Sequence, residues 1–233
     1  MPISDIDIIC PEITGFARLR EFNLSTRWLG YLYAHYLPKF ESGRYWKMMV
    51  DLYPTEYSGQ PFFKDSQLYY YRRQFDFEHY FSLDIPERKR LLLETLQNGL
   101  LKIAAEMGLP QQAFEQAYQR CLDCGLEARF AWSKPKFNRR RTMTAAIEWV
   151  VEVDRFSIYI KFCDKEGQEI SKWEAVYQDI SISPFFVKET LGGFHWISDD
   201  TVHLISRRGN KCWDIKIDGT VTEGMMPLPT VTS

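Results

Sequence analysis

The chain has 233 residues, 45% of them hydrophobic and 26% charged, which excludes a disordered protein and leaves enough apolar mass for a core without disulfide staples. Its 29 lysines and arginines nearly balance 31 acidic residues, a net charge of −2, so no global basic excess marks a dedicated nucleic-acid binder. Asp5 and Asp7 stand where a secretory leader would carry positive charge, and no window approaches about 18 consecutive apolar residues, so the expected location is cytoplasmic, without membrane association. The five cysteines (Cys10, Cys121, Cys124, Cys163 and Cys212) are odd in number and scattered, which suits a reducing compartment.

In chain order, the first third reads as antiparallel strands. Trp28 to Leu37 and Arg44 to Tyr53 are aromatic-rich runs separated by Lys39-Phe40-Glu41-Ser42-Gly43, a hairpin-like loop. In the second run Trp46, Met48, Val50 and Leu52 alternate with Tyr45, Lys47, Met49 and Asp51, a period of two that buries one face. The first run also fits helical spacing through Trp28, Leu29, Leu32, Tyr33 and Tyr36, and is assigned to a strand beside its neighbour. A loop rich in Pro, Gly and Ser leads to a third strand at Gln67 to Phe77.

The middle predicts two helices. Asp84 with Glu87 makes a capping box, and Pro86 occupies the first turn, where its missing N–H costs nothing. Leu92, Leu96, Leu100, Ile103, Ala104 and Met107 form one apolar stripe that Gly108 ends. Pro110 opens a second helix carrying Phe114, Ala117, Tyr118 and Cys121, closed by Gly125, antiparallel to the first.

The last hundred residues read as an antiparallel meander through Ile147 to Val153, Phe156 to Phe162, Trp173 to Tyr177, Trp196, Val202 to Ile205 and Trp213 to Ile217. The fold class is therefore α+β, with N-terminal antiparallel strands, a central antiparallel helix pair and a C-terminal antiparallel β-meander. No βαβ rhythm points to a doubly wound nucleotide-binding sheet. One domain is expected over residues 1–222, or sub-units 1–133 and 142–222 joined by a basic segment at 134–141, with a loose tail at 223–233.

Five constellations bear on chemistry or binding. Cys121-Leu122-Asp123-Cys124 is a lone CxxC in a last helical turn, where the dipole raises thiol pKa and no second ligand pair exists, so core cysteines are expected. With a two-residue loop at Asp199-Asp200, His195 and His203 would fall on opposite sheet faces and would share no metal. Glu148, Glu152 and Asp154 read as the solvated face of one strand. Lys134, Lys136, Arg139, Arg140 and Arg141, interrupted by Phe137, suit either a solvated linker or a grip on an acidic partner. Tyr70 and Arg72, within Tyr69-Tyr70-Tyr71-Arg72-Arg73, are residue types enriched at protein interfaces.

Several segments carry a resemblance: Phe75-Asp76-Phe77, Tyr80-Phe81, Phe114-Glu115-Gln116-Ala117-Tyr118, Trp132-Ser133-Lys134-Pro135-Lys136-Phe137, Phe162-Cys163-Asp164-Lys165-Glu166-Gly167 and Phe194-His195-Trp196-Ile197-Ser198. Together, over residues 70–220, they resemble bacterial immunity-type proteins that accompany polymorphic toxins. The resemblance implies a protein partner, a toxin domain in the concrete case, and transfers no site residues. The expectation is a binding protein without catalysis or cofactor. The alternatives are a nucleic-acid-associated module using 134–141, or an enzyme whose site assembles from dispersed residues.

Overall fold

In the computed structural model, which describes residues 2–11, 16–153, 155–179 and 191–225, the run beginning at Trp28 is helical. It belongs to α1 (Phe16–Tyr36). Trp28, Leu29, Leu32 and Tyr33 are at most 1% exposed, and only a helix puts this spacing on one face; a strand would turn Trp28 and Leu29 to opposite sides. α1 connects β1 (Asp5–Ile9) to β2 (Lys47–Tyr53), and these two strands pair in parallel. The N-terminal strands are thus not the expected hairpin but a β–α–β crossover, the connection that parallel neighbours require. β2 is also parallel to β4 (Leu68–Gln74), and only β3 (Phe62–Asp65) runs antiparallel to its neighbour, in the order β1-β2-β4-β3.

One row of this sheet, Ile8–Val50–Tyr71, faces the helices, because Gly99 of α3 (Ile85–Met107) lies directly over Val50 and Tyr71. Gly30 brings α1 equally close to β1: a Cβ there would run into the carbonyl oxygen of Ile6. The alternate row, Asp7–Met49–Tyr70, and its neighbours Asp5, Lys47, Asp51 and Arg72 share the other face.

The strand expected through Phe77 ends at Gln74. Asp76 accepts a hydrogen bond from the His79 backbone N–H (2.9 Å) and caps a short helix, α2 (Phe77–Ser82). α3 begins as expected. The Glu87 N–H donates to the Asp84 carboxylate (2.9 Å) and the Asp84 N–H donates to Glu87 (3.2 Å). Gly108 at φ 65° stops it, and α4 (Gln111–Asp123) follows and packs against both α3 and α1.

The chain divides into two compact units, Met1–Ala128 with Glu152–Asp154, and Arg129–Val151 with Arg155–Ser233. The second holds two antiparallel sheets rather than one meander. The first sheet runs β5 (Ala128–Ala131), β7 (Met143–Val151), β8 (Arg155–Asp164) and β9 (Glu169–Asp179), with β6 (Lys136–Phe137) paired to β7. Ala145, Ile147, Ile158, Ile160 and Phe162 are buried on its inner face. The other runs β10 (Gly193–Trp196), β11 (Thr201–Ile205), β12 (Lys211–Lys216) and β13 (Val221–Met225). β13 reaches Met225 and so takes in 223–225 of the loose tail expected at 223–233; residues 226–233 lie outside the described residues. The basic segment 134–141 is part of the second unit and contains β6. No described helix is long and apolar enough to cross a membrane.

Candidate interaction surface

β6 and β7 form a hairpin whose connection carries the arginines, and one asparagine holds that connection. Asn138 is 2% exposed. Its side-chain oxygen accepts from the backbone N–H of Thr142 (2.9 Å) and Met143 (3.3 Å), and its own N–H donates to the Met143 carbonyl (2.9 Å). Its carbonyl accepts from the Arg141 N–H (3.0 Å), while its amide nitrogen donates to the Asp199 carbonyl (3.3 Å) in the β10–β11 connection. The short amide side chain imitates a stretch of backbone, which is why asparagine suits tight turns. Arg141 takes up the left-handed conformation (φ 56°) that closes the turn.

The outcome is a fixed knuckle. Lys134, Arg139, Arg140 and Arg141 are exposed, and so is Phe137 (47%); Ile197 (52% exposed) lies in the β10–β11 connection, whose Asp199 the turn contacts. The Arg141 guanidinium lies over the Phe137 ring, 5.3 Å from its centre, and Arg140 Nε reaches Asp199 at 2.7 Å. That ion pair is open to water and adds little to stability. Lys136 differs from its neighbours. Its ammonium donates to the Phe194 carbonyl (2.7 Å) above the Phe194 ring, and its own carbonyl accepts from the Trp196 indole N–H (2.9 Å), so it ties β6 to β10.

Tyr70 and Arg72 belong to the first unit. Arg72 donates to Asp51 (3.4 Å) and to the Tyr57 hydroxyl (2.7 Å) between the Tyr57 and Phe63 rings. Burial pushes the Asp51 carboxyl above its ordinary range, Arg72 offsets only part of that, and the second Asp51 oxygen has no hydrogen-bond partner among the described residues. Burial likewise raises the Tyr70 phenol. A groove of about 1230 Å³, unseen in the sequence, runs between β4, α2 and α3 past Tyr71, Arg73, Phe75, His79, Asn98 and Lys102. The one signal for it was the polar spacing Asn98–Lys102 on α3, which any solvated helix face also shows.

The remaining candidates separate cleanly. Cys121 is fully buried, burial pushes its thiol up to about 12, and the Cys124 thiol lies 3.2 Å from the Cys121 carbonyl. Of the three expected carboxylates on one strand, only Glu148 is in β7; Glu152 follows the strand and Asp154 lies outside the described residues. Burial acts to raise the Glu148 carboxyl, but Lys172 at 2.5 Å and Arg129 at 3.2 Å outweigh it and hold it below the usual range. The histidines overturn the expected register. Trp196 pairs with Val202, so an odd number of residues, 197–201, separates these partners, where the expected two-residue loop implies an even number. His195 therefore faces His203 directly, with ring centres 5.3 Å apart. Among the described residues no three His, Cys, Asp or Glu side chains converge to hold a metal ion.

No family model, no curated protein and no solved structure matches this chain.

Proposed function

We propose that the chain is a protein-binding protein whose docking surface is the knuckle formed by Lys134, Phe137, Arg139, Arg140, Arg141 and Ile197, and whose partner is acidic. In its most concrete form this is an immunity-type protein that occludes a cognate bacterial toxin. One observation carries the reading: a buried amide, Asn138, holds a triple-arginine turn in one shape. A charge run that only keeps a loop solvated needs no such fixture. Fixing the turn beforehand lowers the ordering cost of association. Phe137 and Ile197 supply apolar contacts for the centre of an interface, and the arginines supply its rim.

The test is direct binding: where a toxin domain is encoded beside this gene, it is purified and its binding to this chain measured by surface plasmon resonance across a salt series. Changing Arg139, Arg140 and Arg141 together to alanine should slow association and flatten its salt dependence, with a smaller effect on dissociation. Identical kinetics in the wild type and the variant would remove the knuckle from the interface. A second reading draws on the exposed Phe137 ring beside Arg141, the pairing of aromatic and cation that stacks and grips single-stranded nucleic acid. Sub-micromolar binding to single strands, lost in the same variant, would favour it instead.

A further inference from the structure

We propose that His195 and His203 form a two-imidazole site for a divalent transition-metal ion, Cu²⁺ or Zn²⁺, on the outer face of the C-terminal sheet. The two residues are direct cross-strand partners on β10 and β11, and Asp214 of β12 is the next in the same row. The opposite face carries Phe194, Val202, Leu204, Trp213 and Ile215, all at most 5% exposed, so the imidazole row points outward. His195 is exposed and the His203 side chain is 17% exposed, which leaves the space between the rings open to an ion.

Three features of the pair suit chelation. First, the spacing fits. An ion about 2.1 Å from each ring nitrogen in tetrahedral geometry holds the two ring centres about 5.2 Å apart. The observed separation is 5.3 Å, with the planes inclined by 57°. Second, His203 is oriented by a carboxylate: its Nδ1 lies 2.5 Å from Asp214 Oδ1. The carboxylate accepts, so Nδ1 carries the hydrogen and the Nε2 lone pair is left for a metal, the outer-sphere arrangement that metal-binding histidines commonly use. Third, both imidazoles stand on hydrogen-bonded strands, so little backbone freedom is lost on binding. Water would complete the coordination, since among the described residues no group of three His, Cys, Asp or Glu side chains forms here. Two imidazoles favour Cu²⁺ over Zn²⁺ in the usual order of divalent affinities. An ion shared by the pair would also tie β10 to β11, the hairpin whose connection bears Ile197 and Asp199. The site stands independently of any partner for the knuckle.

The experiment titrates untagged, chelator-stripped full chain with Cu²⁺ and separately with Zn²⁺ by calorimetry, and records electron paramagnetic resonance of the Cu²⁺ form. One ion per chain is expected, with hyperfine coupling to two nitrogens and tighter binding of Cu²⁺. His195→Gln and His203→Gln should each abolish saturable binding, and Asp214→Asn should weaken it about 10–100-fold. Cys212→Ser, on the same face but in the next row, should leave the affinity unchanged. His195 is exposed, so its substitution tests the site without disturbing the core. Wild type without saturable binding, wild-type affinity in either histidine variant, or loss of binding in Cys212→Ser would overturn the proposal.

Discussion

The Tyr33 hydroxyl of α1 donates to the backbone carbonyl of Phe114 in α4 across 2.8 Å, in a site closed to water. The Gln97 side chain of α3 contacts the same hydroxyl, so one phenol ties three helices together. A phenol has one hydrogen, so the Gln97 amide must turn its NH₂ toward the phenol oxygen if both partners are to be satisfied. Tyr33→Phe keeps the ring and removes the junction. It should cost about 1–3 kcal/mol, because Gln97 and the Phe114 carbonyl are then buried without their partner. Native-state hydrogen exchange should show the loss in the amides of α1, α3 and α4. Unchanged protection there would mean that the phenol does not join the helices.

Gly99 offers a test in which two rules predict opposite signs. Glycine inside a helix ordinarily costs about 1 kcal/mol relative to alanine, so Gly99→Ala should stabilise α3 on propensity alone. A Cβ at this position, however, would lie 2.5 Å from Val50 Cγ2 and 3.0 Å from Cγ1, in a row that cannot open without moving β2. We expect overpacking to win and Gly99→Ala to destabilise by about 1–3 kcal/mol in urea unfolding. Combining it with Val50→Ala should recover part of the loss, a coupling a double-mutant cycle would measure.

The knuckle separates binding from stability. Replacing its three arginines with alanine should change stability by less than about 0.5 kcal/mol, since these positions are exposed. Asn138→Ala should cost about 1–3 kcal/mol by stranding the donors and acceptors it now serves. It should also weaken partner binding although every arginine remains. If Asn138→Ala bound its partner as wild type does, a fixed turn would not be what the partner recognises.

The thiols should respond differently to alkylation and to pH. Burial raises the Cys121 thiol from an ordinary 9.0 to about 12, so at pH 8 almost none of it is thiolate in the folded protein. Iodoacetamide should leave Cys121 unmodified in the native chain and modify it in urea, read by peptide mass spectrometry. The unfolded chain loses the Cys121 proton near pH 9 while the folded chain keeps it. The contribution to stability is therefore complete below pH 9 and declines as pH rises toward 12. Rapid native labelling of Cys121 would contradict the buried geometry.

What could be read from the letters depended on how local its cause was. The start and stop of α3 were legible because Asp84, Glu87, Pro86 and Gly108 are chemical instructions to their own neighbours. Helix α1 was misassigned because its aromatic run satisfies two periods at once, and burial against β1, not propensity, decides between them. The parallel pairing of β1 with β2 is hidden for the same reason: direction follows from the crossover, and the period of two in its aromatic run suggests a strand. Within the knuckle, the arginines could be found by composition. The residue that shapes them could not, because Asn138 gains one of its partners from Asp199, 61 residues away. The imidazole pair was missed through a single uncertain quantity, the number of residues between Trp196 and Val202.

That quantity has a hereditary side. Substitutions between Trp196 and Val202 change the chemistry of the connection and leave the pairing intact. Removing one residue makes the count even, and the strand must then either bulge or turn over. Turning over would carry Phe194 out to solvent and His195 into the core, exchanging an apolar anchor for a polar ring in one step. In related chains, variation in this loop should therefore appear as changes of letter or as insertions and deletions of two. Its parity, more than its composition, decides which side of the sheet meets the outside.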